Sequence, residues 1–126
     1  LNERRAYHRT VPATALRPWI PVVAWAAVIF AFSSIPSLGT GLGTWDLVLR
    51  KLAHAVEYAI LGALLLRAMR SPWAALALGA LYAVSDEVHQ SFVRGRHGVW
   101  YDVVVDTVGV AAGILAWQRF RRRKNG

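Results

Sequence analysis

The chain has 126 residues, 56% hydrophobic and 17% charged, and its 15 lysines and arginines against 7 aspartates and glutamates give a net charge of +8. That length fits one domain over residues 1–126, but the composition is too apolar for an ordinary soluble domain. The absence of cysteine excludes disulfides, thiolate nucleophiles and cysteine-ligated zinc, and the positive residues lie in terminal runs that flank apolar stretches, which argues against a nucleic-acid partner.

The sequence opens on Leu1 instead of methionine, which reads as a trimmed start, so no processing signal is judged from it. An arginine-rich arm over residues 4–17 leads into residues 18–35, an uncharged run about long enough to cross a hydrocarbon core. A secretory signal would fit the arginines, but the run is long, lacks an A-x-A site and precedes further apolar runs, so retention as a helix is expected. Residues 36–50 read as a loop, whose Gly39, Gly41 and Gly43 lack the strand-turn-helix setting of a phosphate cradle. Residues 52–66, 72–92 and 101–118 are apolar over most of their length, with ionisable groups confined to one end. A soluble helical bundle would instead space its charges along each helix.

The expected architecture is therefore all-α: a polytopic membrane protein built as a four-transmembrane-helix bundle. Positive residues in the N-terminal arm, in the link holding Arg67 and Arg70, and at 119–124 place both termini on the cytoplasmic side. Trp19, Trp45, Trp73 and Trp100 fall near span ends, where amphipathic rings favour the interface.

Of the seven carboxylates, only Glu3 and Asp46 lie outside these spans; Glu57, Asp86, Glu87, Asp102 and Asp106 sit in the outer portions of three helices. An intramembrane charge is costly unless it faces the bundle interior, pairs, or meets water, so these groups should share a polar pocket. From His54, the residues at i+3, i+4 and i+7 are Glu57, Tyr58 and Leu61, with Lys51 one turn before. Tyr82, Ser85, Asp86, His89 and Gln90 share a broad face of the third span, from which Glu87 is turned by about 100°. In the fourth span Asp102 and Asp106 stack above Gly109 and Gly113, a small-residue ridge that admits a neighbouring backbone. Alternating helix direction brings His54, His89 and Asp102 to one membrane level, leaving the first span mainly as scaffold.

The motifs K-x-x-H-x-x-E-Y from Lys51 to Tyr58, D-E-x-H-Q from Asp86 to Gln90, G-R at Gly95 and Arg96, and D-x-x-x-D-x-x-G from Asp102 to Gly109 resemble the VanZ-like family. The resemblance runs from the first span, followed by Ser33, Ser34 and Pro36, as far as Gly113. It implies a small multi-pass protein of the bacterial cytoplasmic membrane, in a family whose founding member is linked to teicoplanin resistance, but it supplies no reaction. The chain departs from the family pattern at Arg94, where proline often precedes Gly-Arg. Asp106 stands where family members can carry asparagine, which makes Asp102 the firmer candidate carboxylate.

An enzymatic reading gives His54 or His89 the role of general base or nucleophile, oriented by Glu57 or Asp86, with Asp102 in the same catalytic set. Lys51, Arg94 and Arg96, with Gln90 and Asp106, would bind the substrate, expected to be a phosphate-bearing envelope lipid or lipid-linked precursor at the headgroup level. A metal reading would pair His54 with Glu57 and Asp86 with His89, but such i, i+3 pairs arise by chance and can satisfy each other, so no metal ligand set and no cofactor is assigned. The main alternative is a non-catalytic polar network in a protein that binds a lipid or a glycopeptide-related ligand. A proton-coupled transporter fits poorly, because four short helices leave little room for an alternating pathway and no inverted repeat is visible.

Overall fold

The computed structural model describes residues 13–34, 44–93 and 100–125. These form five helices and, among the described residues, no strand: α1 (Ala13–Leu16), α2 (Trp19–Ser33), α3 (Thr44–Met69), α4 (Pro72–Ser91) and α5 (Trp100–Asn125).

Local chemistry explains the helix boundaries. Pro21 falls in the first turn of α2, where a missing N–H breaks no intrahelical bond. At the other end Ser34 donates its N–H to Phe30 O and Ala31 O, closing the last turn. α3 ends at Arg70, whose φ of 59° is left-handed and whose N–H is donated to Leu66 O at 2.8 Å. Ser71 then caps α4 with its hydroxyl, accepting from Ala74 N at 3.3 Å, and Pro72 follows in the first turn. The link between α3 and α4 is thus two residues long, which forces the helices to run antiparallel.

Two boundaries differ from the hydropathy reading. α3 starts at Thr44, so residues 44–50, expected in a loop, are helical; α5 continues through the basic run to Asn125. Arg50 and Lys51 interrupt hydropathy, but arginine and lysine are good helix formers and do not interrupt a helix. α2, expected as a full span, has 15 residues, roughly 22 Å at 1.5 Å per residue.

α3 and α5 form the most extensive helix pair, and glycines set their separation. A Cβ added at Gly113 would collide with the backbone of Ala59, one at Gly62 with the backbone of Val110, and one at Gly109 would lie 2.7 Å from Ala55 O. The expected ridge at Gly109 and Gly113 therefore does admit a neighbouring backbone, that of α3. Around this seam the core collects Tyr58, Leu61, Leu65 and Leu66 from α3, Val110 and Ile114 from α5, Val22 and Ile29 from α2, and Ala75 and Ala83 from α4.

The exterior is apolar. Ile20, Val23, Leu52, Val56, Leu81, Val88, Val108 and Leu115 are all more than half exposed, far more than a soluble surface carries in scattered patches. Two helices, Val48–Met69 and Trp100–Lys124, are long and apolar enough to cross a membrane, and only 28% of the apolar window of each is buried. A core helix of a soluble protein would be mostly buried, so these two are apolar on faces the protein does not cover.

Gly113→Ala is expected to lower stability by about 1–3 kcal/mol, because the added methyl meets backbone and not a side chain that can swing away. Denaturant unfolding in detergent, followed by helical circular dichroism, reads this out. An unchanged midpoint would show that α3 and α5 are not in backbone contact there.

Candidate functional site

The core stripes of two helices turn polar towards one end. On α4 the buried residues are Ala75, Gly79, Ala83, Asp86 and Gln90, one continuous face at three- and four-residue spacing. On α5, Asp106 lies one turn before Gly109 and Val110 on the packed face. Asp86 and Asp106 are each 4% exposed, buried because they extend the same stripes that pack the helices.

Tyr58, fully buried on α3, donates its hydroxyl to Asp86 Oδ2 at 2.9 Å. Asp86 Oδ1 is also buried and has no hydrogen-bond partner among the described residues. Asp106 lies within electrostatic range of Asp86, Asp102 and Glu57. The Tyr82 ring sits 6.1 Å from that of Tyr58, and its hydroxyl donates to Ala26 O at 2.5 Å. Gln90 donates to Ser33 Oγ over a long 3.4 Å.

Nearer the end of the bundle, His54 Nδ1 lies 3.5 Å from Glu57 Oε2, while the Glu57 carbonyl accepts from Trp25 Nε1 at 2.8 Å. Lys51 Nζ is 3.5 Å from Asp102 Oδ1 and 4.3 Å from the centre of the Tyr101 ring. Both side chains of that ion pair are about a third exposed, so solvent screens the attraction and the lysine can be drawn to another anion at little cost.

His89 faces α2. Its ring stacks on Phe30 at 4.2 Å, and Nε2 lies 2.9 Å from Ser34 Oγ. Ser34 donates its single hydroxyl hydrogen to Phe30 O at 2.8 Å, so in that contact Nε2–H of His89 is the donor. A neutral His89 then carries its lone pair on Nδ1, the nitrogen a general base would use.

The expected residues thus divide. Tyr58 and Asp86 meet; His54 and Glu57 meet; Lys51 and Asp102 meet. Asp86 and His89, adjacent on a helical face in the sequence reading, address different helices, Asp86 turning to α3 and His89 to α2. Among the described residues no three histidine, aspartate or glutamate side chains are placed to share a metal ion. Arg94 and Arg96 lie outside the described residues, as does His97.

Sequence reasoning assigned α2 a scaffold role, whereas Ser33, Ser34 and Phe30 touch the polar residues of α4 directly. The available signal was a pair of hydroxyls closing an otherwise apolar run. Tyr101 was also passed over, although an aromatic ring beside Asp102 is a natural seat for a lysine.

No curated protein and no solved structure matches the chain. A family model described as VanZ/LLP1 matches residues 4–121, which takes in α1 to α4, all but the last four residues of α5 and all the polar contacts above, and the chain belongs to that family.

Proposed function

We propose that the chain is a multi-pass protein of the bacterial cytoplasmic membrane, with α2 to α5 as four spans and both termini cytoplasmic. Its polar end forms an outer-leaflet pocket that acts on a phosphate-bearing envelope lipid or lipid-linked precursor. The observation that carries this reading is Asp86, a carboxyl 4% exposed, held on one oxygen by Tyr58 and without a partner on the other among the described residues. A buried acceptor left open is costly in a purely structural network, and a ligand donor would satisfy it. Support also comes from the apolar exterior, the two helices of spanning length and the family match.

In this reading His54, backed by Glu57, or His89 through Nδ1, takes a proton from the attacking group. Lys51 leaves Asp102 for the phosphate and is joined there by Arg94 and Arg96. Asp86 and Gln90 orient the polar part of the ligand, and Asp106 sets the local field.

A second reading keeps the pocket but removes the reaction: a binding protein for a lipid or a glycopeptide-related ligand. What favours it is the mutual satisfaction of Ser34 with His89 and of Gln90 with Ser33. Purified protein in nanodiscs, incubated with polyprenyl phosphates and phospholipids, separates the two. Turnover that falls at least about a hundredfold in His54→Ala or Asp86→Asn, with the helical spectrum retained, supports catalysis. Saturable binding without turnover, weakened by the same variants, supports the binding protein.

The topology is testable separately because the chain has no cysteine to give background. Single variants Ser91→Cys and Lys124→Cys, treated in intact cells with a membrane-impermeant thiol reagent, should label at 91 and stay unlabelled at 124. Labelling of both, or the reverse pattern, would reject the proposed orientation.

A further inference from the structure

The opposite end of the bundle holds an open cavity of about 590 Å³, lined by Leu66, Arg70, Pro72, Gln118, Arg121 and Arg122. We propose that this cavity is a binding site for the phosphate headgroup of an anionic glycerophospholipid, separate from the polar cluster of His54, Asp86 and His89.

The charge inventory is the first argument. All three charged lining residues are arginines; Asp46, Asp86, Glu87, Asp102 and Asp106 lie towards the other end of their helices, and Glu57 stands at the middle of α3. None of the three makes an ion pair among the described residues, whereas Lys51 pairs with Asp102 and His54 with Glu57. Three guanidiniums around one cavity repel one another unless an anion sits between them, and their planar forks match phosphate oxygens.

Geometry is the second argument. Gln118, Arg121 and Arg122 follow i, i+3, i+4 spacing on α5 and share one face. Arg70 reaches the cavity from the short link between α3 and α4, in a left-handed backbone conformation that glycine adopts more easily. Pro72, at the start of α4, lines the same cavity, so the positive end of that helix dipole lies beside it.

The lining also selects among phosphates. Leu66 and Pro72 give the cavity an apolar wall, suited to the glycerol and first methylenes of a lipid more than to a free ion. The site stands at the ends of the two helices long enough to span, Val48–Met69 and Trp100–Lys124, the level at which headgroups lie. The lipid source of the phosphate rests on the membrane reading; the attraction of the three arginines for a phosphate does not.

Native mass spectrometry of the full chain in neutral detergent tests this with phosphatidylglycerol, phosphatidylcholine and soluble glycerol phosphate as probes. Phosphatidylglycerol should be retained in preference to both. The triple variant R70Q/R121Q/R122Q should weaken its retention roughly tenfold, whereas the charge-matched R119Q/R123Q/K124Q should change it far less. R70G, which removes a guanidinium while relieving the backbone, keeps the comparison valid if the triple variant folds poorly, and should weaken retention on its own. Equal losses in the two triples would mean diffuse attraction to the basic tail and overturn the site. Equal retention of phosphatidylcholine would overturn the preference for an anionic lipid, and glycerol phosphate binding as tightly as the lipid would overturn the lipid assignment.

Discussion

The structure depends on how closely α3 and α5 approach. Glycines at 62, 109 and 113 each place a hydrogen where any other residue would drive a methyl into the facing backbone. Between apolar helices in a membrane there is no hydrophobic drive to associate, so close backbone packing has to supply the attraction. The seam also fixes level. Ala55 lies against Gly109 and Ala59 against Gly113, so the two helices run in the same direction with an offset that brings Lys51 level with Asp102. The ion pair at the polar end is a consequence of the glycine contacts deeper in the bundle, and α4, tied to α3 by a two-residue link, completes the enclosure around Tyr58.

The polar cluster is built by extending packing stripes, not by interrupting them. Ala75, Gly79 and Ala83 let α4 sit close to its neighbours, and the same face then presents Asp86 and Gln90. A carboxyl at that position is almost wholly buried, because it stands on the face that holds the helices together. Rigid helices therefore fix the positions of Tyr58, Asp86 and Gln90, whereas Lys51 and Asp102, nearer the helix ends and partly exposed, are free to exchange partners.

Much of this was legible in the sequence, for definite reasons. The segregation of acids and histidines to one end is a matter of position along helices, and helical positions follow from residue number. The glycine ridge at 109 and 113 could be read because small residues one turn apart have few other uses on an apolar helix. Which neighbour each residue meets was less legible. Periodicity gives the face of Asp86 and His89, but the face is broad enough for its two edges to touch different helices, and only packing decides that Asp86 goes to α3 and His89 to α2. The extent of α3 was misjudged for a related reason: hydropathy marks where a segment turns polar, and the backbone hydrogen bonds of residues 44–50 do not depend on it. The contribution of Ser33 and Ser34 was hidden because two hydroxyls after an apolar run look like a simple exit from the span.

The carboxylates are not equivalent in what they cost. Asp102 stands in the first turn of α5, where the helix dipole favours an acid by about 0.3–1 kcal/mol, and it has Lys51 beside it. Asp86 has neither advantage. It lies towards the C-terminal end of α4, where the helix dipole gives an acid no support, and burial of an ion costs several kcal/mol. Its compensation is a single phenol hydrogen bond, with Oδ1 left over. A residue that only fixed helix register could do so as asparagine or as another alanine of the stripe, at lower cost. Burial therefore sets the cost of this carboxyl, a ligand donor would offset it, and on that ground the proposed chemistry is centred on Asp86 instead of on the better-paired acids around it.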